Sequence, residues 1–107
     1  MRTYVIETIE FVGVWFPMKD SVEVEATDIK DALEKVVSNY TEVYDDEVED
    51  IADECKSEWG YSEDSDKGTF WGLVYNQILD RNECDRRIIK GYPKNSNNTE
   101  ECFDLLD

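Results

Sequence analysis

Residues 3–16 are dominated by β-branched and aromatic side chains, a composition that favours an extended strand, with Gly13 marking a bend or bulge. Pro17-Met18-Lys19-Asp20 reads as a turn. Residues 21–26 then alternate, with Val22, Val24 and Ala26 on one face and Glu23 and Glu25 on the other. The two runs predict a β-hairpin with one solvated side. Beyond it, Thr27 or Asp28 suits the cap of a helix. Ile29, Ala32, Leu33, Val36, Val37 and Tyr40 recur at the i, i+3, i+4, i+7 spacing of a helix packed on a sheet. A break over residues 38–41 and a continuous or kinked helix both fit. A second helix is predicted over residues 44–59, stopping at Gly60.

Residues 61–68 read as a polar loop, residues 69–79 as a strand, residues 80–83 as a turn and residues 86–90 as a shorter strand closing a second hairpin. Residues 94–99 have the composition of a linker, and the tail beyond carries Phe103, Leu105 and Leu106, suited to docking as a short helix. The fold expected is α+β, an antiparallel sheet with two helices on one face in the order ββααββ. Residues 1–94 would form the single domain and residues 95–107 the linker and C-terminal tail.

Charge changes this picture more than length does. The 107 residues hold 27 Asp and Glu against 11 Lys and Arg, a formal net charge of −16, and no histidine. Without histidine there is no Ser-His-Asp or Cys-His machinery, no His-ligated metal and no imidazole base. The excess of negative charge disfavours direct contact with nucleic acid or an anionic membrane and favours partners with basic faces. No run is apolar enough to span a bilayer, and Glu7 and Glu10 interrupt the only long apolar stretch, which therefore does not read as a signal peptide. Cys55, Cys84 and Cys102 lack a C-x-x-C spacing and fall short of a four-cysteine zinc site. They read as reduced thiols rather than a Cys84–Cys102 disulfide, so a cytoplasmic location is expected.

Chemistry was sought in two further places. Counted as a calcium loop from Ser62, the sequence puts Lys67 where glycine is needed and Leu73 where glutamate is needed. Counted from Glu63, Gly68 falls correctly but Lys67 and Val74 occupy ligand positions, so neither register works. No phosphate loop, nucleophile elbow or metal-ligand spacing is present. The expectation is a protein that is not an enzyme and needs no cofactor or metal. Trp15, Phe16, Trp59, Phe70, Trp71 and Tyr75 are expected in the core.

The negative charge is concentrated. Residues 42–66 carry twelve acidic side chains and one basic one, Lys56, giving −11 in that segment and −5 for the rest of the chain. On a helical wheel, Tyr44, Val48, Ile51, Ala52, Cys55 and Trp59 share an apolar arc roughly 100° wide. Asp46, Glu47, Glu49, Asp50, Asp53, Glu54 and Glu58 fill the opposite half. Those seven span about 18 Å of helix axis, one charge per ~3 Å. One phosphate per ~3.4 Å along a DNA strand is a comparable density. Like charges three and four apart cost about 0.2–0.5 kcal/mol per pair, and only Lys56 relieves them locally. Two readings without function compete: a merely solvated face, and neutralisation by Arg81, Arg86, Arg87, Lys90 and Lys94, which give residues 81–94 a net +3.

In size, acidity and the carboxylate face of residues 44–59, the chain resembles the small acidic inhibitors carried by phages and mobile elements, including DNA-mimicking anti-restriction and anti-CRISPR proteins. The resemblance implies a target with a basic nucleic-acid channel that the carboxylates would occupy. The candidate contact residues are Asp46, Glu47, Glu49, Asp50, Asp53, Glu54 and Glu58, with Glu63, Asp64 and Asp66 of the following loop. The alternative is a structural or regulatory interaction module, monomer or homodimer, that uses a sheet edge or an exposed aromatic as its interface.

Overall fold

The alternating N-terminal sequence forms two strands of eleven residues, β1 (Arg2–Val12) and β2 (Phe16–Ala26), paired antiparallel from Arg2 opposite Ala26 to Val12 opposite Phe16. The structure, a computed structural model, describes residues 1–12, 16–61, 67–95 and 101–105. Pro17, Met18, Lys19 and Asp20 lie inside β2 and do not form the expected turn, because the register carries the pairing on to Phe16. β2 is an outer strand in the sheet order β2-β1-β3-β4, where a proline's missing N–H need not reach a neighbour. The bend expected at Gly13 lies outside the described residues.

Helix α1 (Ile29–Val37) starts where its cap dictates. The Asp28 carboxylate accepts from the Asp31 N–H at 2.8 Å, and Asp31 accepts in return from the Thr27 N–H at 3.1 Å, a reciprocal box that closes the first turn. That backbone bond, with Lys35 one turn on, holds the Asp31 carboxyl below its usual range. Ile29, Ala32, Leu33, Val36 and Val37 are all buried. The next helix, α2, spans Asp45–Ser57.

Residues 69–79 are helical, not extended. Helix α3 (Lys67–Arg81) buries Phe70, Trp71, Val74, Tyr75, Ile78 and Leu79, which recur in adjacent pairs every four residues. The β-branched and aromatic composition favours a strand, and this periodicity overrides it. α3 ends in a Schellman-type turn, with Glu83 at φ 57° and the Cys84 N–H donating to the Leu79 carbonyl at 3.0 Å. The second hairpin therefore does not exist. Strand β3 (Arg86–Pro93) pairs with β1, and the chain order is ββαααββ, an α+β fold with a four-stranded antiparallel sheet and three helices. Among the described residues, no helix is long and apolar enough to cross a membrane.

Residues 103–105 return to this sheet as a strand where a short helix was expected. β4 (Phe103–Asp104) pairs with Lys90 and Gly91 of β3, and the Leu105 N–H donates to the Ile89 carbonyl at 2.7 Å. The Phe103 ring lies between α3 and β3, over Gly72 and Gly91. A Cβ at those positions would stand 2.8 and 2.4 Å from the ring, so only glycine admits it. Buried Glu101 accepts from the Tyr4 hydroxyl and the Ile29 N–H, both at 2.8 Å, and pairs with Arg2 at 3.3 Å. A carboxylate far along the chain thus serves a donor of the first turn of α1. Cys55, Cys84 and Cys102 form no disulfide with one another.

Side chains engage backbone groups of outer strand β2 and of the stretch of β3 that the two-residue β4 does not cover. On β2, Asp20 Oδ1 accepts from the Ser21 N–H and Lys35 Nζ donates to the Glu25 carbonyl. On β3, the Asn76 side-chain amide of α3 bonds both the N–H and the carbonyl of Ile88, at 2.7 and 2.9 Å, as a neighbouring strand would.

Two outcomes follow for stability. Glu101→Ala strands the Tyr4 hydroxyl and the Ile29 N–H in the interior and is expected to lower the free energy of urea unfolding by roughly 2–4 kcal/mol. Burial and then the neighbouring Glu101 carboxylate push the Tyr4 phenol up to about 12. An unfolded chain releases that proton near pH ~10. The stabilisation from the neutral Tyr4 is therefore complete below pH ~10 and is lost as the pH rises toward 12. Circular dichroism followed with tyrosinate absorbance in alkali should show ionisation of Tyr4 coinciding with loss of structure.

Candidate functional site

Helix α2 is built from two incompatible halves. Val48, Ile51, Ala52 and Cys55 are buried, and the helix rests chiefly on α3. Burial pushes the Cys55 thiol up, so it sits in this stripe as a neutral apolar group. Tyr44 and Trp59, expected at the ends of the same stripe, are 58% and 37% exposed. Both lie outside the helical residues. Tyr44 is the extended residue before the first turn, and its hydroxyl donates to Glu42. At the other end the chain departs through Glu58 and Gly60, whose φ is +71°.

The carboxylates divide three ways around α2. On the flank toward α3, Glu54 pairs with Arg81 at 3.2 Å and half-buried Glu47 accepts from the Asn82 amide at 3.3 Å. On the other flank, Asp45 and Glu49 border a cleft that also takes in Lys30, Ala52, Lys56 and Trp71. Asp46 and Asp50 form the crown opposite the buried stripe, and Asp53, which also lines the cleft, stands between the two, all three exposed. Glu58 is exposed at the C-terminal end. Glu63, Asp64 and Asp66, expected to extend the face, lie outside the described residues, as does the rejected calcium loop.

Two physical tests bear on the readings without function. Asp45, Asp46 and Glu47 occupy the first turn, where carboxylates favour the helix dipole. Asp53, Glu54 and Glu58 lie toward the opposite end, where the same dipole disfavours them. Local helix stability therefore accounts for the first three and not for the rest. Neutralisation is the second test. Arg86 pairs with Glu10 at 2.9 Å and Asp20 at 3.8 Å and stacks on Tyr40, while Lys94 pairs with Glu23. Of the described cations in residues 81–94, only Arg81 forms an ion pair with α2. The basic segment mostly serves the hairpin.

The cleft beside α2 was not foreseen from the sequence, which placed Trp71 on a strand. Its volume is about 490 Å³. Lys30 Nζ of α1 stands 5.1 Å from the centroid of the Trp71 ring, and Lys56 Nζ stands 5.9 Å from that of Phe70. A helical reading of residues 67–81 would have brought Trp71 toward α2, and that periodicity was the available signal. Among the described residues, no group of three His, Cys, Asp or Glu side chains is arranged to hold a metal ion. Comparison with protein-family models, with curated proteins and with solved structures finds no match for this chain.

The crown makes a measurable claim on stability. Asp50 faces Asp46, Asp53 and Glu54 at helical neighbour spacings. Glu47 is a fourth such neighbour, so Asp50→Lys converts four repulsions into attractions and is expected to raise stability by about 1 kcal/mol or more in urea unfolding. The wild type should also gain thermal stability as salt rises from ~10 to ~200 mM, since screening relieves the same repulsions.

Proposed function

We propose that this protein is a non-enzymatic inhibitor that acts in the cytoplasm by occupying the nucleic-acid-binding surface of an enzyme, of the restriction or CRISPR-effector kind, with the carboxylate face of α2. The observation that carries this reading is the crown and its C-terminal extension. Asp46, Asp50, Asp53 and Glu58 are exposed on one ordered helix and, among the described residues, have no ion-pair partner. Those four charges lie about 6 Å apart along the axis, and only with Glu47, Glu49 and Glu54 on the flanks does the row reach about the linear density of a nucleic-acid strand, which suits a groove lined with Arg and Lys. The electrostatic term would supply fast association and strong salt dependence.

Pairing of two copies through a sheet edge is the less favoured arrangement. Asp20 and Lys35 already occupy backbone groups of outer strand β2, Asn76 occupies those of β3 beside the short β4, and β4 itself is only two residues long, which blunts these edges as templates for a further strand.

The test is capture of partners from host lysate at about 50 and about 200 mM salt, where surface contacts between opposite charges become screened. Immobilised wild type should retain nucleic-acid-binding proteins at the lower salt, release them at the higher, and lose them to added duplex DNA. The variant with Glu49, Asp50, Asp53 and Glu54 all changed to Lys should retain none while remaining folded. Retention indifferent to salt, DNA and charge reversal would overturn the reading.

A further inference from the structure

The cleft between α1, α2 and α3 joins an apolar floor to a charged rim. Val48, Ala52 and the Trp71 indole form the floor, and Glu49 and Asp53 stand on the α2 side. Lys30 reaches in from α1, so the indole face already carries a cation belonging to the chain itself. Resting on the reading of α2 as a nucleic-acid mimic, we infer that this cleft receives one arginine side chain of the partner. Its guanidinium would lie over Trp71 in place of the Lys30 ammonium and donate to Glu49 and Asp53.

Three features select that occupant. The lining sets three carboxylates, Asp45, Glu49 and Asp53, against Lys30 and Lys56, so its net charge is negative and complementary to an added cation. The floor is apolar and aromatic, which suits a long aliphatic stem ending in a flat group. Guanidinium is planar, weakly hydrated and forked, so it stacks on an indole while bonding carboxylates, whereas an ammonium does these jobs less well. Lys30 is a flexible, strongly hydrated side chain able to swing into solvent when displaced. Nucleic-acid-binding surfaces present arginines for phosphate contact, so the partner of the proposed mimic carries the required group. The crown would then give long-range attraction and the cleft a seat for one side chain.

A capped Gly-Arg-Gly peptide and its neutral citrulline counterpart serve as probes, with the Trp71 indole N–H and the Ala52 amide followed by ¹H–¹⁵N NMR. The arginine peptide should shift both signals saturably, and the citrulline peptide should not. Neutralising the rim with Glu49→Gln and Asp53→Asn should weaken binding about fivefold, the scale of exposed charge pairs, and neutralising the crown with Asp46→Asn and Asp50→Asn less than about twofold. Lys30→Ala should tighten binding, and Lys19→Ala on β2, which removes the same charge outside the cleft lining, should leave it unchanged.

Absence of a saturable Trp71 shift, or equal weakening by the rim and crown variants, would overturn the inference. Salt-sensitive partner capture combined with a silent Trp71 would overturn the cleft and leave the mimic reading standing. A saturating, rim-dependent Trp71 signal without any salt-sensitive partner would support the cleft and remove the mimic.

Discussion

The seating of α2 on α3 is the contact on which the rest depends. α2 brings together carboxylates that repel one another, and its stripe of Val48, Ile51, Ala52 and Cys55 holds it down. Eight like-charge pairs at helical neighbour spacings, at about 0.2–0.5 kcal/mol each, oppose the helix. Burial of Val48 and Ile51 alone contributes about 1.5–3 kcal/mol apiece. Burial wins, but only while α3 is in place to receive it. α3 is fixed in turn by Phe103 wedged against Gly72 and Gly91, and by the Asn76 amide bonded to Ile88. The acidic surface is thus supported through two layers by a two-residue strand near the C-terminal end.

The same arrangement explains how the charges divide. A helix lying on a neighbour has two flanks and a crown, and the flank toward α3 finds partners because that neighbour's side chains reach it, while the other flank borders a cleft. Arg81 and Asn82 at the end of α3 meet Glu54 and Glu47, and Lys30 of α1 approaches from the other side. Nothing in the described chain reaches over the top to Asp46 and Asp50. Their charge is therefore displayed outward by geometry.

Much of this was legible in the sequence where pattern and composition agree. The alternation of Val22, Val24 and Ala26, the cap at Asp28 and the two-sided α2 all reappear in the structure. The third helix was not legible because its composition and its period disagree. Phe70, Trp71, Val74 and Tyr75 favour a strand, and Gly72 weakens a helix, yet the burial pattern is helical. Gly72 makes sense only with Phe103, a contact between residues thirty-one positions apart that local pattern cannot contain. The same error hid the cleft, since a strand at Trp71 gives α2 no neighbour of that shape. The edge position of β2, which lets Pro17 sit within a strand, is likewise a property of the assembled sheet.

What remains is why the charge is carried on a packed helix and not on a loop. A loop with the same carboxylates would spread them in solution and would have to gather them on binding, against repulsion and conformational entropy. In α2 the gathering is completed during folding and is driven by the apolar stripe. On the proposed reading, a partner with a basic groove would meet a charge pattern already at its final spacing, so the attraction it supplies would not be spent on ordering. The instability built into the crown follows from that preorganisation, and a face shaped for solubility alone would intersperse lysines at Asp50 and Asp53 and be the more stable for it.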